Sequence, residues 1–232
     1  MSENNIIVVG IFVVDLAFVA SKLPLRGETI IGDNYIIGPG GKGSNQSVAI
    51  SRLGGKASLI ARIGDDQFGE DGRNLYQKEN VYTEGLIIAK GEKTGSAAIS
   101  IDKNGMNSII VVPGAASGLK KSMIDEKLHL FSKSSIMITG FEIPLDIASY
   151  CLKKAKSKGL STILNPAPYF DIDNTNFKLV DYLTPNEHEA SSLTNIEIQN
   201  IDDARVAGRR ICELGVGTSI ITMGDKGVLC TT

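Results

Sequence analysis

Cysteine is scarce in this chain, and the few copies present form no pattern. Cys151, Cys212 and Cys230 are odd in number, widely separated and without the spacing of metal ligands. They indicate neither a disulfide framework nor a cysteine-based metal centre. We therefore expect reduced thiols without a functional role.

The chain also lacks an excess of charge of either sign and a long uninterrupted apolar run. It has 24 Lys and Arg against 26 Asp and Glu, and no basic stripe, so neither nucleic acid nor an anionic membrane is expected as a partner. Residues 1–5 lack the positive segment of a signal peptide, and Asp15 interrupts the apolar run behind them. We therefore expect a cytoplasmic protein.

What the chain does contain is a regular alternation of short β-branched runs and helical patterns. Its 232 residues, 42% of them hydrophobic, suffice for one sizeable core. Within residues 202–214, for example, small and apolar side chains recur on one helical face. The runs typical of buried strands are 6–9, 58–63, 136–139, 162–164, 181–183 and 219–222. This alternation predicts an α/β fold with a mostly parallel sheet and helices on both faces.

Two segments, residues 12–37 and 97–112, interrupt this alternation, because β-rich sequence occurs there without a crossover helix. They predict a small separate β-sheet. No repeat, low-complexity tract or interdomain linker divides the chain. We therefore interpret residues 1–232 as one domain that carries the small sheet.

The run Gly38-Pro39-Gly40-Gly41-Lys42-Gly43-Ser44-Asn45 is the most informative stretch, because its glycines let a backbone approach a small polar ligand closely. The pattern Gly38-x-Gly40-x-x-Gly43 formally satisfies a dinucleotide fingerprint. That fingerprint should follow the first strand, however, and an earlier strand already opens the chain. A phosphate-binding P-loop is excluded because Lys42 is followed by Gly43 rather than by Ser or Thr.

The same run resembles the first signature of the ribokinase family of carbohydrate kinases, in which this loop holds the sugar. Further matches follow in the family's order and at similar spacing along the whole chain. They are Gly64-Asp65-Asp66-x-Phe68-Gly69, Asn165-Pro166-Ala167-Pro168, Thr184-Pro185-Asn186-Glu187-x-Glu189 and Thr222-x-Gly224-x-x-Gly227. Several ordered matches make the resemblance specific.

The resemblance implies a ribokinase-like fold and the ATP-dependent phosphorylation of a pentose or a related sugar. It implies ATP and Mg²⁺ as cofactors, and a monovalent cation in the intact family form. The small sheet would correspond to the family's lid, which covers the sugar and often pairs with a second subunit. A homodimer through the lid is therefore an expectation.

Two carboxylates are sugar-binding candidates by this resemblance. Asp15 lies among apolar neighbours, where an ionised group is costly unless it is hydrogen-bonded, and it matches a family residue that accepts hydrogen bonds from sugar hydroxyls. Its alternative role is that of a surface-turn carboxylate. Glu142 follows the predicted strand 136–139 and matches a family carboxylate that contacts the sugar; alternatively, it is a solvent-facing acid at a helix start.

The glycine-rich loop supplies the other sugar-binding candidates, Gly41, Lys42, Gly43 and Asn45. The Asn45 amide can donate and accept hydrogen bonds at once, which suits a hydroxyl ligand, although Asn is also among the best helix N-caps. Lys42 could offset charge near the transferred phosphate or could simply be solvated.

A nucleotide site is expected further along the chain. Thr184-Pro185-Asn186-Glu187 reads as a capping box with proline in the first turn, which would leave Asn186 and Glu189 free on one helix face. By resemblance, Asn186 contacts the nucleotide phosphates and Glu189 organises Mg²⁺. Thr222, Gly224 and Gly227 correspond to a loop with ATP contacts, or form an ordinary turn between two strands.

Two departures from the family limit what is expected. The motif Asp-Thr-x-Gly-Ala-Gly-Asp, which carries the family's general base and anion hole, does not occur in the sequence, so we assign no catalytic residue and expect an inactive carbohydrate-kinase fragment with its carboxy-terminal part missing. Val13 stands where ribokinases usually carry an asparagine that recognises ribose, which puts the identity of the sugar in doubt. A noncatalytic sugar-binding module stays open as an alternative, with a nucleotide-dependent oxidoreductase as a distant third.

Overall fold

The computed structural model describes residues 5–170 and 174–232, and one large sheet runs through the centre of that part. The sheet has eight strands in the order β12-β11-β10-β9-β8-β1-β4-β5. Their bounds are β1 Asn5–Val9, β4 Lys56–Gly64, β5 Leu86–Ala89, β8 Ile136–Gly140, β9 Ser161–Asn165, β10 Tyr182–Leu183, β11 Thr218–Thr222 and β12 Val228–Thr231. Only the β11–β12 pair is antiparallel within this described sheet. The predicted mostly parallel sheet is confirmed.

A second sheet of four strands has the order β3-β2-β6-β7. Its strands are β2 Val13–Val19, β3 Asn34–Gly40, β6 Thr94–Ile101 and β7 Asn107–Gly114. β2 and β6 are parallel, whereas β3 and β7 pair antiparallel on the outside. The two segments that interrupt the βα alternation thus supply most of this sheet, as predicted. We call the eight-stranded sheet with its helices the large domain. The chain passes from the large domain into the second sheet twice, at β2 and at β6, and returns after β3 and after β7.

Helices cover both faces of the large sheet, as predicted. They are α1 Lys42–Arg52, α2 Gln67–Lys78, α3 Lys121–Asp125, α4 Leu128–Ser132, α5 Leu145–Ser157, α6 Glu187–Thr194 and α7 Ile201–Glu213. Alternating residues of β1 belong to separate buried clusters: Ile7 and Val9 belong to the cluster that also contains residues of α5 and α7, whereas Val8 belongs to the cluster that contains Tyr76 of α2 and borders α1. Fully burying each such side chain contributes about 1.5–3 kcal/mol.

The carboxyl ends of the parallel strands lie at one edge of the sheet, where open α/β sheets bind ligands. β1, β8 and β9 end there at Val9, Gly140 and Asn165, and the segments after β10 and β11 begin at the same edge. Among the described residues, no helix is both long and apolar enough to cross a membrane.

Candidate sugar and nucleotide site

The glycine-rich loop holds the start of α1 against the end of β1. α1 begins at Lys42, two residues before Ser44, where the sequence pattern places its start, and Gly41 at its N-cap has φ 88°. A Cβ on Gly41 would lie 2.5 Å from the Ile11 carbonyl oxygen, and a Cβ on Gly43 would lie 2.7 Å from Gly10 Cα. Glycine is therefore required at both positions by backbone contact with the end of β1.

Asn45 lies inside the first turn of α1, where its backbone N–H donates to the Gly41 carbonyl oxygen at 2.9 Å. The N-cap alternative for Asn45 is therefore wrong, because Gly41 occupies that position. The side chains of Asn45 and Lys42 are exposed. Neither of them makes a side-chain hydrogen bond within the described part of the chain, so both are available to a ligand.

Glu142 binds the amino terminus of α1 from the loop after β8. Its Oε2 accepts a hydrogen bond from the Lys42 backbone N–H at 2.7 Å. Burial raises the pKa of this carboxyl group, the hydrogen bond and charge of Lys42 oppose that shift, and the nearby charge of Asp15 adds to it. α5 begins at Leu145, so Glu142 is not a solvent-facing acid at the start of its own helix, and that alternative is wrong. A carboxylate in this position also complements the positive end of α1.

Asp15 lies in the middle of β2 rather than in a surface turn, so that alternative is wrong. It is half-buried and pairs with Gly38 of β3 and Ala97 of β6. Its carboxylate occupies the space beside Gly40, where a Cβ would collide with both oxygens. Burial raises the pKa of Asp15, since no described side chain or backbone N–H compensates for its desolvation.

Val13 lies two residues before Asp15 in β2 and therefore points to the same face of the second sheet. Its side chain is only 4% exposed. It packs over Gly95 of β6, where an added Cβ would come within 2.8 Å of Val13 Cγ1. A hydroxyl placed against Val13 would find no hydrogen-bond partner in this side chain.

A small cavity of about 10 Å³, enough for roughly one water molecule, lies where these elements meet. It is lined by Val9, Gly10, Lys42, Gly43, Gln46, Gly140, Glu142, Ile143 and Asn165. Gly10, Gln46 and Asn165 were missed as site residues. Asn165 stands in one of the matching motifs and ends β9, a position that could have identified it. Its Nδ2 donates to the Thr184 carbonyl oxygen at 2.7 Å, which connects this cavity to the segment before α6.

The predicted capping box at Thr184 and Glu187 is wrong. α6 begins at Glu187, and its N-cap is Asn186, whose Oδ1 accepts from the Glu189 N–H at 2.7 Å. Glu189 Oε2 accepts in turn from the Asn186 N–H at 2.9 Å, so these two residues form the capping box. The helix starts later because the Thr184 N–H donates to Leu164 and extends the parallel ladder beyond β10.

Thr222 lies beside Asn186, to which it is joined by an isolated parallel bridge. The Thr222 N–H donates to the Pro185 carbonyl oxygen at 2.9 Å. Behind Thr222, Gly224 (φ 56°) and Gly227 (φ 92°) bound the turn between β11 and β12, so the geometry of an ordinary hairpin is present. Thr222, Gly224 and Gly227 are all exposed beyond the carboxyl end of β11, and a nucleotide role for them remains a prediction.

Residues for a magnesium ion are few. No cluster of three or more His, Cys, Asp or Glu side chains suitable for a metal occurs within residues 5–170 and 174–232. Glu189 is 8% exposed and has one oxygen engaged by the Asn186 N–H, which leaves its other oxygen. One carboxylate fits Mg²⁺ in sites where phosphates and waters supply most ligands.

A mostly parallel sheet with its polar residues at the carboxyl ends, joined to a small second sheet, is the architecture of ribokinase-like α/β proteins. The sequence pattern of the pfkB family of carbohydrate kinases matches residues 3–232, and the chain belongs to that family. The predicted family and fold class are therefore confirmed.

Individual relatives agree with this assignment. A ribokinase of Haemophilus influenzae is 36% identical over 202 residues, covering 87% of this chain and 66% of the relative. A deoxyribokinase of Salmonella typhi is 31% identical over 229 residues, covering 98% of this chain and 75% of the relative. The structure of Arabidopsis thaliana ribokinase complexed with ribose and ATP is similar with a TM-score of 0.90 at 28% identity, covering 99% of this chain and 75% of that one. The chain thus spans about two thirds to three quarters of these proteins.

The alternative of a nucleotide-dependent oxidoreductase loses its basis in this fold. The first two fingerprint-like glycines, Gly38 and Gly40, lie within β3, which is an edge strand of the second sheet and pairs antiparallel with β2. A dinucleotide fingerprint requires a strand of the parallel sheet at that point.

Proposed function

We propose that this chain binds a pentose or a related sugar and belongs to an ATP-dependent sugar kinase. The observation that carries the proposal is the juxtaposition of Asp15, Glu142 and the amino terminus of α1. Two carboxylates whose pKa values are raised by burial meet a helix start there, beside the exposed side chains of Lys42 and Asn45, which make no hydrogen bond to any other described residue. Such a set of donors and acceptors suits a ligand with several hydroxyl groups.

In this proposal Asp15 accepts hydrogen bonds from sugar hydroxyls, and the Asn45 amide donates and accepts. Glu142 fixes the α1 terminus and can face the sugar with its second oxygen. Lys42 offsets negative charge as the phosphoryl group approaches. The relative crystallised with ribose and ATP supports both ligand classes for this architecture.

The nucleotide half comprises Asn186, Thr222, Gly224 and Gly227 in this proposal. Asn186 and Thr222 are bridge partners, so a phosphate chain could contact both of them. Glu189 would hold Mg²⁺, which when bound neutralises charge on the nucleotide phosphates. A monovalent cation belongs to the same proposal, with no described residue assigned to it.

The sugar is proposed to lack a hydroxyl at the position that faces Val13. A hydroxyl buried against this valine would lose its hydrogen bonds to water without replacement, which costs about 1–3 kcal/mol. A relative that is 31% identical to this chain is a deoxyribokinase, which supports a deoxy sugar as a candidate ligand. 2-Deoxyribose is therefore the first candidate ligand, with ribose as the comparison.

Calorimetric titration of the chain with 2-deoxyribose, ribose, ATP·Mg²⁺ and NAD tests the binding proposal. We expect saturable binding of one of these pentoses, weaker binding in Asp15→Ala and Asn45→Ala, and an unchanged ATP affinity in both variants. Sugar affinities of both variants equal to that of the parent chain would contradict the assignment of these residues.

A coupled ADP-release assay tests catalysis separately. The family motif with the general base and the anion hole does not occur in the sequence. A general base contributes about 10²–10⁴-fold and an anion-hole donor about 10²–10³-fold, so we expect turnover near background from residues 1–232. Sugar binding without turnover is also the behaviour of the noncatalytic sugar-binding alternative. Clear sugar-dependent turnover would contradict both the expected background rate and the noncatalytic alternative, and it would require a general base within residues 1–232.

We further propose that a second copy of the chain covers the second sheet. Its outer strands expose apolar side chains: Tyr35, Ile36 and Ile37 of β3, and Ile109, Ile110, Val111 and Val112 of β7. An exposed apolar edge of this kind favours association. Sedimentation analysis should show a dimer that Ile110→Lys weakens, whereas a concentration-independent monomer would contradict the proposal.

A further inference from the structure

The Gly64-Asp65-Asp66 motif is hydrogen-bonded, through both its side chains and its backbone, to the segment that leads into β6. Residues 90–93 lead from β5 into β6 of the second sheet. Asp65 Oδ1 accepts from the Gly91 N–H at 3.0 Å. Asp66 accepts from both the N–H (3.0 Å) and the hydroxyl (2.6 Å) of Thr94. The Thr94 hydroxyl accepts in turn from the Gly64 N–H at 2.9 Å.

Arg62, near the end of β4, reinforces the same junction. Its guanidinium group is buried and donates to both carboxylate oxygens of Glu92, one of them at 2.7 Å. It also donates to the Ala115 carbonyl oxygen, which directly follows β7. A buried charge is tolerated only when it is paired and hydrogen-bonded, so these contacts are costly to break. We call this set the clamp: Arg62, Gly64, Asp65 and Asp66 on the large domain, and Gly91, Glu92 and Thr94 on the way into the second sheet.

The clamp is close to the sugar residues along the strand pairing. Thr94 is the first residue of β6, and the next residue, Gly95, pairs with Val13 of β2. Two positions further, Ala97 pairs with Asp15. A displacement of Thr94 is therefore transmitted through the parallel β2–β6 ladder to the strand that carries Asp15. No clamp residue needs to touch a ligand for this effect.

We propose that the clamp positions the sugar site by fixing β6, and with it β2 and Asp15, relative to the amino terminus of α1. Thr94, Asp66 and Arg62 are then positioning residues. This inference rests on the proposed sugar site, but it makes a separate claim about which contacts place Asp15. At the junction between β3 and α1, by contrast, the chain passes through Gly40 and Gly41, which have no side chains for such contacts.

Thr94→Val removes the hydroxyl and keeps the shape of the side chain, whereas Thr94→Ser keeps the hydroxyl. Thr162→Val is the matched control, because Thr162 is also fully buried and its hydroxyl donates to the Leu179 carbonyl oxygen at 2.6 Å, away from the clamp. All variants are titrated with 2-deoxyribose and ribose, and their unfolding midpoints are measured in urea. Amide hydrogen exchange of β2 and β6 is measured without ligand.

We expect Thr94→Val to raise the dissociation constant of the bound pentose by about tenfold or more, the effect of one hydrogen bond lost at the site. Thr94→Ser should stay within about threefold of the parent chain, and Thr162→Val should lose stability without losing sugar affinity. Exchange in β2 and β6 should accelerate in Thr94→Val only. The inference about the clamp would be overturned if amide exchange in β2 and β6 were the same in Thr94→Val and Thr162→Val, and this comparison does not require a bound pentose. If the parent chain bound no pentose, only the proposed function would be overturned.

Discussion

The substitution Gly40→Ala should weaken sugar binding by displacing the Asp15 carboxylate. Gly40 is outside the left-handed region of φ, so alanine is compatible with its backbone. The added Cβ would collide with the Asp15 carboxylate, and the side chain would have to rotate away from its present place. A hydrogen bond to a charged group contributes about 1.5–3 kcal/mol, so the dissociation constant of the pentose should rise roughly 10- to 150-fold.

Gly38→Ala provides the matched control in the same strand. Gly38 pairs with Asp15, has no positive φ, and leaves open space where its Cβ would be. Replacing a glycine at such a position stabilises a protein by about 0.4–1 kcal/mol, and we expect no change in sugar affinity. Calorimetric titration of both variants, together with urea unfolding, separates affinity from stability. Equal pentose affinities for Gly40→Ala and Gly38→Ala would refute the placement of Asp15 in the sugar site.

Three further outcomes are expected. Val13→Asn should raise the preference for ribose over 2-deoxyribose by roughly tenfold, measured as the ratio of their dissociation constants; an unchanged ratio would mean that residue 13 does not face the sugar. Asn186→Ala removes the helix cap and should lower the unfolding free energy by about 1 kcal/mol, whereas Asn186→Ser keeps a capping side chain. The ATP affinity should fall in both variants. An unchanged ATP affinity in both would mean that Asn186 has only a structural role. Because burial raises the pKa of Asp15 and an ionised carboxylate is the better acceptor, sugar binding should release protons in the pH range where Asp15 titrates and should weaken as the pH falls through that range. Titrations in buffers of different ionisation enthalpy measure this release, which Asp15→Asn should abolish; its persistence there would assign it to another group such as Glu142.

The strands and the covering helices could be predicted because their apolar periodicity is local. The face formed by Ala204, Ala207 and Ile211, for instance, is fully buried in α7. The start of α6 could not be predicted in the same way, since two overlapping capping boxes fit the sequence. The choice between them depends on the Thr184–Leu164 hydrogen bond, a contact between separate strands.

In the candidate site, too, local sequence motifs could be predicted, whereas contacts between residues far apart in the sequence could not. Motif matches identified Asp15, Asn45 and Glu142 as candidates, but their geometry depends on distant partners. Glu142 binds the α1 terminus across 100 positions of sequence, and no local pattern indicates such a contact. The clamp was missed for the same reason, because Asp66 and Thr94 meet only after β4, α2 and β6 have assembled.

The decisive test of the proposed sugar site is a crystal structure of the chain grown with saturating 2-deoxyribose. We expect one sugar between β2 and the amino terminus of α1, with a hydroxyl oxygen about 2.5–3.0 Å from an Asp15 carboxylate oxygen and another within hydrogen-bond distance of the Asn45 amide. A sugar bound elsewhere, or bound there with Asp15 turned away, would contradict it.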